Sequence, residues 1–148
     1  MFKGFIKPVY AHCDVPCGIY ETDTIKHSAD TCLKMVQKIE DLGELDSVNK
    51  YNNFVRMVNT KEEHAQKVKE QAYILWSDFF KPENLTAHPK LHDIVWQVAK
   101  QASVVKHAVN KEACLELNER VKALDELFKI VQKISKFLDK NVLPLQFL

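Results

Sequence analysis

The sequence predicts an all-α fold, an up-down-up-down bundle of four helices. Glycine is scarce, with 3 residues among 148, and there are 5 prolines, whereas sandwiches and barrels need many turn residues. Apolar residues recur at spacings of three and four along four segments, as they do on one face of a helix. The connections between these segments are short, which favours antiparallel neighbours.

The first two predicted helices have clear boundary residues. The first begins near Asp23 and ends before Gly43, because glycine commonly terminates a helix. Asp46 or Ser47 can cap the second helix. Pro82 ends that helix, since proline lacks the amide hydrogen that a helix interior needs.

The other two predicted helices follow a loop over residues 82–88. Pro89 is a good first residue for the third helix. A break at residues 110–111 precedes the fourth helix, which Pro144 ends. The polar stretch 59–64 interrupts the apolar repeat of the second helix, so it faces the N-terminal motif, a neighbouring subunit or solvent.

The chain thus divides into a leader of residues 1–11, a dense polar motif of residues 12–20 and a bundle of residues 22–148. The net charge of +1 gives no electrostatic footprint for nucleic acid or an anionic membrane. No apolar run approaches the roughly 20 residues that span a bilayer. Lysines and a proline interrupt the apolar residues of the leader, so we expect that the chain is not exported through a signal peptide.

The four cysteines fall into two pairs. Cys32 and Cys114 occupy apolar positions of predicted helices, where a free cysteine usually acts as a small buried hydrophobe. Cys13 and Cys17 occur instead in the stretch AHCDVPCGIY, residues 11–20, which has no helical periodicity. That stretch therefore contains the candidate site.

The spacing of this stretch suits a metal. Two thiolates with three residues between them can close on one ion, and Pro16 stiffens the turn. Zinc would need four ligands, for which Cys13, Cys17 and His12 are available and Asp14 is a poor fourth. A thiol redox motif has two intervening residues, so that role is weakly supported.

Cleavage between Ala11 and His12 would create a different donor set. The free amine of His12, the deprotonated amide nitrogen and thiolate of Cys13, and the thiolate of Cys17 make two nitrogen and two sulfur donors. Such a planar set suits Ni(II) or Cu(II) rather than zinc. The His12 imidazole could bind from the axial side, and the anionic donors would stabilise a higher oxidation state.

The motif resembles the nickel hook of the nickel-containing superoxide dismutases, whose pattern is H-C-D-x-P-C-G-x-Y. All its fixed positions are present: His12, Cys13, Asp14, Pro16, Cys17, Gly18 and Tyr20. The stretches LWSDFFKP, residues 75–82, and HPKLHDIV, residues 88–95, are similar to segments of the same family. We call residues 12–20 the hook.

The resemblance implies that two superoxide ions and two protons become dioxygen and hydrogen peroxide while nickel, one ion per subunit, cycles between Ni(II) and Ni(III). It also implies a protease that removes the leader before His12, a homohexamer of four-helix bundles and a cytoplasmic setting. Nucleic acid and membranes are not expected as partners.

The resemblance also assigns roles to single residues. It makes His12, Cys13 and Cys17 the nickel ligands, and it places Tyr20 where small anions or water are positioned. It implies that Asp14 holds the hook by hydrogen bonds and that Pro16 sets its turn.

The surroundings of the hook depart from the family. Ser28 and His64 stand where better-known members have a glutamate and an arginine that hold the axial imidazole, so His64 would replace part of that brace. Phe79 replaces a tyrosine and removes a hydroxyl. Arg56 matches a family arginine and could anchor the hook to the bundle.

Other interpretations remain open at this level. The chain could be a non-catalytic metal-binding or thiol redox-sensing bundle, its hook could hold a structural zinc or a disulfide, or it could be an inactive relative. His88 and His92 are spaced to bind a metal together; alternatively, one of them caps a helix and the other is partly exposed. Lys81 either attracts superoxide by its positive charge or is an ordinary solvated lysine. Trp76 and Trp96 are expected in the core or at an interface.

Overall fold

The computed structural model describes residues 18–141, and these residues form an all-α bundle, as predicted. The helices are α1 (Asp23–Glu40), α2 (Val48–Ile74), α3 (Pro82–Ala87), α4 (Leu91–His107) and α5 (Lys111–Asn141), with a π-helical segment, Leu75–Phe79, directly after α2. The leader and residues 12–17 of the hook lie outside the described residues.

The four long helices surround one core in the order α1, α2, α4 and α5, and α1 closes the ring against α5. Side-chain contacts show that neighbours run antiparallel. Between α2 and α4 these contacts are Lys61–Val105, Lys69–Ser103 and Trp76–His92. Between α1 and α5 they are Thr22–Asp125 and Asp30–Asn118. The bundle therefore has the predicted up-down-up-down topology, and its hook end contains the start of α1, the end of α2 and the last turns of α5.

The predicted apolar stripes form this core. Residues with less than 3% exposure come from every long helix and include Ile25, Val68, Leu91, Val98, Leu117 and Leu124. Truncating such a side chain to alanine typically costs about 2–5 kcal/mol. Cys32 and Cys114 are completely buried among them, as their helical positions predict.

The helix ends agree with the predicted boundaries with three exceptions. Ser47 caps α2, since its Oγ accepts a hydrogen bond from the Lys50 amide at 3.3 Å. The predicted loop 82–88 instead contains α3, because Pro82 fits a first helical position and Asn84 Oδ1 accepts from the Lys81 amide at 2.7 Å. The π-helical segment was not predicted, and α4 begins at Leu91 rather than Pro89.

The polar stretch 59–64 contains a buried lysine. Lys61 is only 1% exposed, and its Nζ donates to the carbonyl oxygens of Val105 at 2.6 Å, Lys106 at 2.9 Å and Ala108 at 3.1 Å. Since the last carbonyls of a helix have no partner within the helix, this ammonium caps α4 from α2. Desolvation by burial lowers the pKa of Lys61.

Candidate metal centre

The described part of the hook is its root, residues 18–20, while His12, Cys13, Asp14, Pro16 and Cys17 lie outside the described residues. Gly18 has a φ of +69°, a left-handed conformation that favours glycine. The fixed glycine of the pattern therefore stands where the backbone turns directly after Cys17.

Tyr20 fixes the root of the hook against the bundle. Its ring is half-buried and lies 5.5 Å from the ring of Phe79, measured between centroids. Phe79 in turn packs at 4.6 Å from Phe128 and 5.1 Å from Phe80. Phe79 thus supplies an aromatic surface under Tyr20.

A cavity of about 360 Å³ opens beside this root, and its lining includes Gly18, Tyr20, Asp78, Lys81 and Ser135. Lys81 is exposed and contributes a positive charge there, while the carboxylates of Asp78 and Glu83 in the same lining oppose it. A positive charge at the mouth of a cleft raises the local concentration of a small anion. Lys81 therefore lies where the steering role that the sequence suggests would place it, although the whole lining is not positive.

A buried carboxylate holds the first turn of α1 next to Tyr20. Asp125 of α5 accepts hydrogen bonds from the Thr22 hydroxyl and from Lys129 Nζ at 2.6 Å, and Lys26 Nζ lies 3.4 Å away. Burial alone would raise the pKa of Asp125, but the bonds from Lys129 and Thr22 and the charge of Lys26 outweigh it and lower the pKa. The root of the hook is thereby tied to α5 as well as to α2.

His64 carries a buried ring nitrogen without a partner. Its Nδ1 has no hydrogen bond within residues 18–141, and its ring lies 6.2 Å from that of His27, edge to face. Ser28, the residue after His27, is 1% exposed. Burial lowers the pKa of His64, which favours the neutral imidazole with one donor and one acceptor.

A buried polar atom without a partner costs about 1–3 kcal/mol, so we expect His64 Nδ1 to gain a partner from outside the described residues, either water or another part of the protein. His64 lies ten residues before Ile74, or about 15 Å along the helix. A segment of six residues, the distance in sequence from Gly18 to His12, spans up to about 20 Å. Gly18 lies beside Asp78, four residues beyond Ile74, so His64 lies near the limit of that span.

Arg56 is placed differently. It is exposed and lies eighteen residues before Ile74, or about 27 Å along α2. Gly18 lines the cavity at the other end of α2 together with Asp78 and Lys81. The hook of the same chain therefore falls short of Arg56.

The described part of the bundle offers no competing metal site. Among residues 18–141, no three His, Cys, Asp or Glu side chains group as metal ligands would. Burial raises the pKa of Cys32 to about 12 and that of Cys114 to about 11, so both thiols stay protonated. His92 Nδ1 accepts a hydrogen bond from Trp76 Nε1 at 2.7 Å.

Sequence reasoning missed His27, Thr22 and Asp125. The signal for Asp125 was present but weak, because an acidic residue beside the apolar stripe of Leu124 and Phe128 is usually solvated. His27 has no sequence signal, since only the packing of α1 against α2 brings it to His64. Both tryptophans, expected in the core or at an interface, are exposed, Trp76 by 46% and Trp96 by 59%.

A model of the nickel-containing superoxide dismutase family matches residues 7–132, which include the whole hook. The chain belongs to this family. Superoxide dismutase [Ni] of Streptomyces seoulensis is 29% identical over 120 residues, 81% of this chain and 87% of that protein. The corresponding enzyme of Streptomyces coelicolor (strain ATCC BAA-471 / A3(2) / M145) is 28% identical over 121 residues, with the same coverage.

Solved nickel superoxide dismutase structures share the bundle. The native structure has a TM-score of 0.74 and 27% identity, covering 82% of this chain and 99% of that chain. A structure with nickel ligation corresponding to the oxidised state has a TM-score of 0.73 and 26% identity, with the same coverage. Within the described ranges, no helix of this family member is long and apolar enough to cross a bilayer.

Proposed function

We propose that this member of the nickel superoxide dismutase family binds nickel through His12, Cys13 and Cys17 and disproportionates superoxide to dioxygen and hydrogen peroxide. The family membership makes it a nickel-dependent oxidoreductase that acts on superoxide. The residue assignment rests on one observation: every fixed position of the hook pattern is present within the matched range.

The donor set fits nickel. A terminal amine, an amide nitrogen and two thiolates favour a tetragonal ion over tetrahedral zinc. When bound, nickel supplies a one-electron couple that accepts an electron from one superoxide and returns one to the next. The described residues supply no rival set of ligands, which supports the assignment to residues 12–17.

The remaining roles belong to side chains of the chain itself. Lys81 attracts superoxide to the cavity beside the hook root, and Tyr20, held on Phe79, positions it there. The Nδ1 atom of His64 hydrogen-bonds to the docked hook and takes over part of the brace on the His12 ring. The buried, unpartnered state of that nitrogen supports this role.

Removal of residues 1–11 completes the ligands. While Ala11 is attached, the His12 nitrogen is an amide whose lone pair is delocalised. A processing protease that cuts before His12 releases a basic amine for the metal. The uncut chain would thus keep the metal site incomplete until processing.

We further propose that the mature chain, with one nickel ion per subunit, assembles as a cytoplasmic homohexamer. Large apolar side chains are exposed along α2 and α5, among them Val48, Tyr51, Val55, Ile134 and Phe137. Val48, Tyr51 and Val55 recur at spacings of three and four on one face of α2, and apolar side chains grouped on an exposed face are typical of interaction sites. Arg56 lies in the same part of α2 and would meet the hook of a neighbouring copy, since its own hook falls short.

Three versions of the protein test the proposal: the full chain, a chain that begins at Ala11 and a chain that begins at His12. We expect stoichiometric nickel and dismutase activity only in the chain that begins at His12. The Ala11 chain is the matched control, because it differs by one residue and keeps every side chain of the hook. Equal nickel content and activity in the Ala11 chain, or zinc as the metal retained by the native protein, would refute the assignment.

A further inference from the structure

A second cavity lies on the outer face of α2 and α4. Its volume is about 570 Å³, within the usual range for small-molecule sites. Its lining consists of Tyr73, Trp76, His92, Asp93, Val95 and Trp96. None of these residues has a role in the proposed dismutation.

The walls of this cavity are aromatic and fixed in place. Trp76 Nε1 donates to His92 Nδ1 at 2.7 Å, and the two rings meet edge to face at 5.8 Å. Because His92 Nδ1 accepts this bond, the ring carries its proton on Nε2. Tyr73 and Trp96 are exposed by 46% and 59%, while Val95, 3% exposed, supplies a buried apolar surface.

The charge of the cavity favours a cation. Asp93 adds a carboxylate to the lining, and its Oδ2 accepts a hydrogen bond from Gln97 Nε2 at 2.6 Å. Aromatic faces attract cations through the negative potential of their π systems, and tryptophan does so best. Trp96 already shows this interaction, since Lys100 Nζ lies 5.7 Å from its ring centroid.

We infer that this cavity binds a small organic cation, a quaternary or alkylated ammonium, between the rings of Tyr73, Trp76 and Trp96 with Asp93 as counter-charge. The apolar substituents of such a cation would contact the rings and Val95. A neutral molecule of the same shape would lose the attraction to the rings and to the carboxylate.

The two tryptophans provide a direct measurement. The chain has only 2 tryptophans, and both line this cavity, so its tryptophan fluorescence reports on this site. Trp76 also lines a neighbouring cavity with Phe80 and Leu85, whereas Trp96 lines only the first of the two. We would titrate the mature nickel-loaded protein and the full-length chain with choline and with its neutral carbon isostere, 3,3-dimethylbutan-1-ol. Choline is expected to give a saturable fluorescence change and to bind about tenfold more tightly than the isostere.

Matched variants assign the effect to the cavity. Asp93→Asn should weaken choline binding about fivefold, whereas Asp30→Asn should not change it. Asp30 is a suitable control because it also accepts a hydrogen bond from a side-chain amide, that of Asn118, but lies on α1. Tyr73→Leu should weaken binding, whereas Tyr51→Leu, at another exposed tyrosine of α2, should not.

Three results would overturn the inference: no saturable response to choline, equal affinity for the neutral isostere, or equal effects of the Asp93 and Asp30 variants. A fluorescence change that follows protein concentration and ignores choline would show instead that a second copy covers the cavity. Circular dichroism would confirm that each variant is folded. Dismutase activity, measured on the same samples, tests the proposed function separately.

Discussion

The two cysteine pairs of this chain show how the same side chain is given opposite roles. Cys32 and Cys114 are completely buried, and burial raises their pKa to about 12 and 11. A metal needs the thiolate, so these two thiols are unsuited to binding one. Both pack in the core, and Cys32 Sγ also donates a hydrogen bond to the Lys61 carbonyl oxygen at 3.4 Å. Cys13 and Cys17 belong to the polar motif of residues 12–20, whose sequence has no helical periodicity, and the proposed nickel site requires both sulfurs. Under that proposal, the bundle supports the chemistry without supplying the ligands.

The largest expected effect is loss of nickel, which should follow substitution of a hook cysteine and not of a buried one. Cys17→Ser should abolish nickel retention and dismutation, while it changes the unfolding free energy of the metal-free protein by less than about 0.5 kcal/mol. Cys32→Ala should keep nickel and activity, but it should cost about 1–2 kcal/mol of stability through a small cavity. Metal analysis and urea denaturation of both variants measure the contrast. Loss of nickel from a folded Cys32→Ala protein would contradict the division of roles.

The bundle can also be weakened without touching the hook. Lys61→Ala leaves the buried carbonyl oxygen of Val105 and the part-buried ones of Lys106 and Ala108 without their donor, which should cost about 3 kcal/mol of unfolding free energy. Lys67→Ala is the control on the same helix, because Lys67 makes only a surface ion pair with Glu63 at 2.9 Å. Folded Lys61→Ala protein should still bind one nickel per subunit. Equal stability of the two variants would show that Lys61 does not act as a cap.

Sequence reasoning predicted local features well. The four stripes, the cap at Ser47 and the stop before Gly43 depend on residues close together in the chain, and the structure contains all of them. The hook was recognisable for the same reason, since its fixed positions lie within nine residues.

The supporting contacts could not be predicted, because they join distant residues. Thr22 and Asp125 are 103 positions apart, and His64 meets His27 only because α1 packs on α2. The sequence shows Lys61 only as a polar residue that interrupts the apolar repeat of α2. In the structure its ammonium donates hydrogen bonds to carbonyl oxygens at the end of α4. The π-helical segment likewise has no signal in apolar periodicity.

A smaller effect tests the link between hook and bundle. His64→Phe keeps a ring of similar size and removes the unpartnered nitrogen. We expect nickel to be retained, dismutation to fall about tenfold and the metal-free protein to gain up to about 1 kcal/mol of stability. His107→Phe, at an exposed histidine of α4, is the control. Unchanged activity in His64→Phe would show that a residue other than His64 holds the His12 imidazole in position.

The smallest effect concerns the root of the hook. Asp125→Asn weakens the bonds to Thr22 and Lys129 and should cost about 1–2 kcal/mol at pH 7. The pKa of Asp125 is lowered from 3.8 by these partners. Its stabilising contribution is therefore complete above that pH and is lost as the pH falls through the lower folded-state pKa.

Urea denaturation of the metal-free protein gives the free energy of unfolding at pH 7 and at pH 3. The difference in this free energy between wild type and Asp125→Asn should be smaller at pH 3 than at pH 7. Asp30→Asn, which changes an exposed carboxylate of α1, should show no comparable gap at either pH. If the difference in unfolding free energy between wild type and Asp125→Asn were the same at both pH values, Asp125 would stabilise the root of the hook by packing and not by its charge. In that case the charge of Asp125, with its hydrogen bond from Thr22 and its ion pairs with Lys26 and Lys129, would not be what ties the start of α1 to α5.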